Sequence, residues 1–353
     1  MPQRIAAIGG DGIGPEVIAA ALEVLSALQR DRGIEIEVWQ LDLGAERYLR
    51  EGVTLPRELR DEIRATCGAV LLGAVGDPRV PGGEHAHDIL MGMRRSFDLY
   101  VNLRPVRALS EELVRLNHRT ARDLDFVIFR ENTEGEYAAG GETQGAGTPD
   151  EVSHGAERHS LRGVERLLRA AFEYARKTTR PLVMTDKSNA IAAQRIWARV
   201  LTKLGAEYPG VTARHVYADA LAAQLVESPE HFSVISGSNL LGDVISDLCA
   251  GLCGGLGLAP SANLHPAVAG HIGLFEPIHG SAPALGGKGI ANPLAAIRSL
   301  GLLLAHLGHA AAAASIERAA QEVVRLRRTT PDVGGDLGTR AATAAFVEVL
   351  RHC

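Results

Sequence analysis

The chain has 353 residues, 46% hydrophobic and 22% charged, enough for two domains or one large one. A net charge of −5 argues against nucleic acid as a main partner, and every long apolar stretch is interrupted before it could span a membrane. Four cysteines without a C-x-x-C pair argue for buried free thiols over a zinc site. The expected setting is reducing and cytoplasmic, with no signal peptide.

Arg4–Ile8 reads as a short strand. It runs into Gly9-Gly10-Asp11-Gly12-Ile13-Gly14-Pro15-Glu16 and then an apolar-periodic helix from Val17 to Leu28. This is not a dinucleotide fingerprint, because the third glycine counted from Gly10 falls on Pro15. It is a glycine-rich strand-to-helix turn where a ligand can approach the backbone. Ile34–Val38 and Gly68–Leu72 read as further strands, and Asp88–Arg95 as helix. Leu99–Pro105 is extended, with Arg104 kept out of the helical region by Pro105.

Phe126–Phe129 is a continuous apolar strand followed by Arg130 and a polar turn. Residues 138–160, rich in Gly, Thr, His and charge, form a protruding arm too long for a plain connection. Leu161–Arg176 has the apolar spacing of an amphipathic helix. Leu182–Thr185 and Val211–Tyr217 are strands, each followed by helix. Phe232–Ile235 is another strand, after which Ser238 and Asn239 cap a helix carrying Asp243 and Asp247. The stretches 276–283 and 289–293 read as a pair of loops, and Ala295–Leu307 and Ala311–Leu326 as helices.

Alternating strand and helix define an α/β architecture. Asp243 and Asp247, four apart, share one helical face, where like charges repel unless a cation such as Mg²⁺ offsets them. Arg130, Lys187 and Asp243 each follow an apolar strand, at the rim where open α/β sheets bind ligands. Arg94, Arg104 and Arg130 supply donors for carboxylates. Lys187 and Tyr137 supply a base and an acid.

Taken in order, GDGIGPEV from Gly10, NLRP from Asn102, RENTEGEY from Arg130, DKSNA from Asp186, SNLLGDVISDL from Ser238, and EPIHGSAP with GIANP resemble the isocitrate/isopropylmalate dehydrogenase family of β-decarboxylating dehydrogenases. The resemblance spans essentially the whole chain. It implies the family's two-domain fold, which is not a Rossmann domain. Residues 1–100 and 252–353 would form a cofactor-binding domain, and 101–251 a central domain with the dimer interface and the arm. It further implies that Arg94, Arg104 and Arg130 hold the malate carboxylates. Asp243 and Asp247 would bind Mg²⁺ or Mn²⁺ together with Asp219 from a second subunit. Asp219 would thereby also face the substrate. Lys187, also from that subunit, would be the base and Tyr137 the acid. Glu276, His279, Gly280, Ser281, Ala282 and Asn292 would line the cofactor, with Gly12 and Ile13 near its nicotinamide end. Every catalytic position is filled, which argues against a silent regulatory homologue.

Two departures bear on specificity. Ala284 and Leu285 stand where NAD-using relatives usually place an Asp for the ribose hydroxyls, yet the Lys-Tyr pair of NADP-using relatives is also absent. NAD is the expected nucleotide, with NADP left open. Leu90 and Met91 precede Arg94, an apolar face that disfavours a third carboxylate. RENTEGEY and DKSNA lean toward D-malate or tartrate as substrate, with 3-isopropylmalate as the alternative.

Overall fold

In a computed structural model, which describes residues 3–353, the aliphatic runs become strands of one large sheet. They are β1 (Gln3–Ile8), β2 (Ile36–Leu41), β3 (Ala69–Leu72), β4 (Val101–Arg107) and β5 (Asp125–Glu131). After a separate hairpin of β6 (Gly141–Gln144) and β7 (Val152–Gly155) come β8 (Leu182–Asp186), β9 (Ala213–Tyr217) and β10 (Val234–Gly237). The last two are β11 (Pro260–Leu264) and β12 (Gly273–Pro277). The sheet order is β2-β1-β3-β12-β11-β4-β5-β10-β8-β9. Its two wings are parallel and covered by helices, which suits their nearly continuous apolar runs. Antiparallel β11 and β4 join the wings, so the sheet is not the doubly wound dinucleotide type.

Two apolar clusters draw on both chain ends. One packs Val17 and Leu25 against Leu300 and Phe346. The other packs Ile8, Val70, Ile89 and Phe97 against Leu274. Two more lie in the middle of the chain, on opposite faces of β5. Because strand side chains alternate, Val127 and Phe129 meet the helix Leu161–Thr178, while Phe126 and Ile128 meet the helix Asn239–Leu252. Arg130 and Arg104 share the second face, so that face carries core along Phe126 and Ile128 and the charged cluster beside them.

Several elements differ from the sequence reading. The first helix starts at Gly14, with Pro15 in its first turn, where proline's missing N–H is harmless. Glu276 and Pro277 end a buried strand and are not loop. Asp219 lies in the first turn of the helix Ala218–Glu227. The segment before Arg94 is helical, but His87–Met91 winds as a wider π turn, a feature common at functional sites. The arm is an exposed two-stranded hairpin. Strand β11 and the helices Arg57–Thr66 and Thr339–Leu350 had no counterpart in the sequence reading. Among the described residues no helix is long and apolar enough to cross a membrane.

Candidate active site

Ser238 caps the helix Asn239–Leu252, its Oγ accepting the Leu241 N–H at 3.4 Å. A Cβ on Gly242 would lie 2.8 Å from the Arg130 Cβ, so glycine lets this helix approach the end of β5. Arg130 then forms a close ion pair with Asp243 and donates from Nε to Asn239 Oδ1 at 2.9 Å. Arg104 Nη1 sits 2.8 Å from Asp243 Oδ1 and 3.4 Å from Asp247 Oδ1, and it donates to Ser246 Oγ at 2.6 Å. The two aspartates do share a helical face, and in one copy of the chain Arg104 bridges them. Tyr137 Oη donates to Asp243 Oδ2 at 3.1 Å, and its ring lies 5.4 Å from the Arg130 guanidinium carbon.

The charges in this cluster shape one another. Burial, with Arg104 and Arg94 nearby, lowers Arg130 to about 9, still protonated at neutral pH. Burial also lowers Arg104, against the pull of Asp243. For Asp243 burial acts upward, but Arg130 and Arg104 outweigh it and hold the carboxyl below its ordinary range. Asp247, farther from the arginines, is raised by burial and by Asp243. Burial and Asp243 raise Tyr137, so its phenol keeps its proton at neutral pH.

Arg94 is buried on the short helix after the π turn and donates from Nη2 to Glu276 Oε1 at 2.7 Å. Its Nε is buried with no hydrogen-bond partner, a donor left over for a ligand. Leu90 is half-buried against the apolar cluster of Ile89, Met93 and Phe97. Lys187 and Asp219 form a pair of their own, Nζ to Oδ2 2.8 Å, near the outer edge formed by β8 and β9. Within one copy they do not join Asp243 and Asp247. Among the described residues no three acidic, His or Cys side chains converge to hold a metal.

The glycine-rich turn meets the second loop directly. Ile13 N–H donates to Ser281 O at 2.8 Å, and a Cβ on Gly12 would stand 2.0 Å from that oxygen. Ala282 holds a left-handed φ of 39°, which turns the chain after Gly280 and Ser281. His279 is half-buried; burial lowers its imidazole, whose Nε2 has no partner. Asn292 donates to Asp332 Oδ2 at 2.9 Å and accepts the Leu294 N–H at 3.0 Å, bracing the start of the next helix.

The sequence profile of the isocitrate/isopropylmalate dehydrogenase family matches residues 4–350. A 3-isopropylmalate dehydrogenase of Thermobifida fusca is 41% identical over 347 residues, covering 96% of this chain and 98% of that protein. An isocitrate dehydrogenase of Methylococcus capsulatus superposes with a TM-score of 0.89 at 33% identity, covering 99% of both chains. A β-decarboxylating dehydrogenase of Thermococcus kodakarensis gives 0.78 at 33% identity, covering 99% of this chain and 96% of that one. The chain belongs to the isocitrate/isopropylmalate dehydrogenase family. It is an NAD-dependent decarboxylating dehydrogenase that uses Mg²⁺ or Mn²⁺.

The side chains suit such an enzyme. Asp243 and Asp247 are hard oxygen donors on one face, of the kind a divalent cation would need. Further buried polar residues brace the turns and strands beside these groups. Asp11 is buried and accepts from Ala45 N at 2.6 Å and Gly76 N at 2.7 Å, and it meets His85 Nε2 at 2.8 Å. His85 is fully buried and ties the helical turn at 84–86 to the glycine-rich turn. The sequence signal for Asp11 was an acidic residue inside a glycine run. Asn102, Asn132 and Asn263, all buried, gave no sequence signal beyond the NLRP and RENTEGEY motifs for the first two.

Proposed function

We propose that the chain oxidises and decarboxylates 3-isopropylmalate, as a homodimer in which two copies complete each active site. The observation that carries the substrate reading is Leu90, half-buried on an apolar cluster one turn from Arg94. It offers an alkyl group a dry surface beside a carboxylate clamp. The Thermobifida fusca relative and other relatives 40–42% identical are named 3-isopropylmalate dehydrogenase, which supports the same reading over D-malate or tartrate. RENTEGEY and DKSNA do not decide it, because a malate core common to all these substrates is what they would touch. The dimer reading is supported by the separation of the Lys187–Asp219 pair from Asp243 and Asp247, and by exposed Val226 and Val244 on the two helices that bear the aspartates. The cluster of Ile8, Val70, Ile89, Phe97 and Leu274, and the one that Val127 and Phe129 form with the helix Leu161–Thr178, support the division into residues 1–100 with 252–353, and 101–251.

In this reading the substrate's carboxylates pair with Arg94, Arg104 and Arg130. Asp243 and Asp247, with Asp219 of the second copy, would hold the cation. When bound, cation and NAD supply Lewis acidity and a hydride acceptor. Lys187 Nζ of the second copy takes the C2 hydroxyl proton, and Tyr137 Oη delivers a proton to C3 after CO₂ leaves. Apolar packing around Leu90 keeps water from the alkyl substituent. The test is kcat/KM for 3-isopropylmalate, D-malate and tartrate with NAD and Mn²⁺. Burying a three-carbon substituent contributes about 2 kcal/mol, roughly thirtyfold in favour of 3-isopropylmalate. A clear preference for D-malate or tartrate would overturn the substrate reading.

A further inference from the structure

Between the two clamp arginines Arg104 and Arg94 runs a continuous chain of buried hydrogen bonds. Arg104 Nε donates to Asn102 Oδ1 at 2.6 Å, and Asn102 Nδ2 donates to Asn263 Oδ1 at 2.8 Å. Asn263 Nδ2 donates to Glu276 Oε1 at 2.9 Å, and Arg94 Nη2 donates to the same oxygen at 2.7 Å. Asn132 adds a second donor to Asn263 Oδ1 at 2.9 Å, while its Nδ2 also reaches Leu99 O at 2.8 Å. Asn263 Nδ2 gives its other hydrogen to Leu274 O at 3.0 Å. All six polar residues of this chain are buried.

Its direction is fixed from both ends. A guanidinium can only donate, so Asn102 must turn its oxygen to Arg104 and its amide nitrogen to Asn263. Asn263 must then accept on that side and donate on the other, to the Glu276 oxygen that already accepts from Arg94. The Asn263 carboxamide thus uses two lone pairs and both hydrogens, a full complement that no other side chain of its size provides. Strand register brings the pieces together: Asn263 on β11 faces Asn102 on β4 and Leu274 on β12.

We propose that Asn263 is a positioning residue: its saturated carboxamide fixes Arg104 relative to Glu276 and Arg94, and so sets the spacing at which the two guanidinium groups receive a diacid. This rests on the reading of Arg94 and Arg104 as the carboxylate clamp. Asn263 touches no reacting atom. It acts through Asn102 on one side and Glu276 on the other.

N263D is the test, because it keeps shape and both acceptor contacts but replaces the two donors. The introduced carboxyl faces Leu274 O and Glu276, with Arg94 and Arg104 the nearest cations along the network. Ionised, it repels Glu276 and breaks the chain; protonated, its O–H restores one link. The expected result is a rise in KM for 3-isopropylmalate of about tenfold or more at about pH 8, with kcat changed less than about threefold. The variant's kcat/KM relative to wild type should recover at least about fivefold on going down to about pH 6. A kcat/KM within about threefold of wild type at every pH would overturn the proposal, as would a pH-independent loss that simply follows a lower Tm. If N263D does not fold, N102D serves: it keeps the acceptor for Arg104 and removes the donor to Asn263, with the same expected rise in KM and the same refutation. Wild type is assayed alongside on 3-isopropylmalate, D-malate and tartrate, and the variant on whichever wild type prefers. A wrong substrate assignment then shows in the wild-type ranking, and a wrong role for Asn263 in the ratio of variant to wild type.

Discussion

Replacing Arg104 with methionine separates the roles of charge and packing. The guanidinium is buried and makes four polar contacts: Asn102 at 2.6 Å, Ser246 at 2.6 Å, Asp243 at 2.8 Å and Asp247 at 3.4 Å. Methionine fills a similar channel and loses all four. Removing one partner of a buried charge pair destabilises, by about 3–5 kcal/mol when the other charge is left alone, but Asp243 keeps its ion pair with Arg130, so a loss of about 3 kcal/mol in unfolding free energy is expected, small enough to leave the variant folded. Substrate binding has no such compensation. A charge-assisted hydrogen bond to a carboxylate contributes about 1.5–3 kcal/mol, and a clamp with one arm missing also leaves the substrate charge poorly solvated. Together they amount to about 3–4 kcal/mol, a fall in kcat/KM of roughly two to three orders of magnitude at 1.4 kcal/mol per tenfold. The assay is the initial rate of NADH formation against 3-isopropylmalate concentration, with thermal unfolding measured on the same preparation. A fall of less than about fivefold would refute the assignment of Arg104 to the clamp. A fall accompanied by unfolding at the assay temperature would refute the separation of roles.

Tyr137→Phe removes the hydroxyl aimed at Asp243 and should lower kcat by about 10²–10⁴, measured as steady-state turnover, with little change in substrate KM; near-normal turnover would exclude it as the proton donor. Glu317→Gln breaks the bidentate pair with buried Arg298, Nε to Oε2 2.9 Å and Nη2 to Oε1 2.8 Å, and should lower unfolding free energy by about 3 kcal/mol at neutral pH. Burial acts to raise Glu317, but Arg298 and Arg107 hold its folded-state carboxyl below the ordinary value. Its contribution is therefore present above the unfolded-state value of about 4.3 and lost as pH falls through the lower folded-state one, so denaturant curves of the two proteins should converge in acid.

The positions that depend on local rules could be read from the chain. Apolar runs gave β1, β5, β8 and β10 to within two residues, and the Ser238 cap with four-residue spacing placed Asp243 and Asp247 on one face. What escaped depends on contacts distant in sequence. Glu276 reads as loop because a proline follows it, yet pairing with Ser261 makes it the end of a buried strand. Asn263 lies 161 residues from Asn102, and no periodicity connects them. His85 becomes a buried partner of Asp11 only when two loops 74 residues apart close on each other. The lean toward D-malate or tartrate came from motifs around the shared part of the substrate. In the proposed 3-isopropylmalate reading the discriminating surface would be Leu90 with its apolar neighbours, whose packing is decided by tertiary structure.

The shared active site is tested most directly by subunit complementation. Lys187→Ala and Asp243→Asn chains are each expected to be inactive as homodimers. In a mixed dimer, Asp243 of the first chain meets Lys187 and Asp219 of the second, restoring one of two sites. With random pairing, co-refolded mixtures should recover about a quarter of wild-type turnover. Activity no higher than either parent, in mixtures shown to contain the mixed dimer, would contradict a site built from two copies.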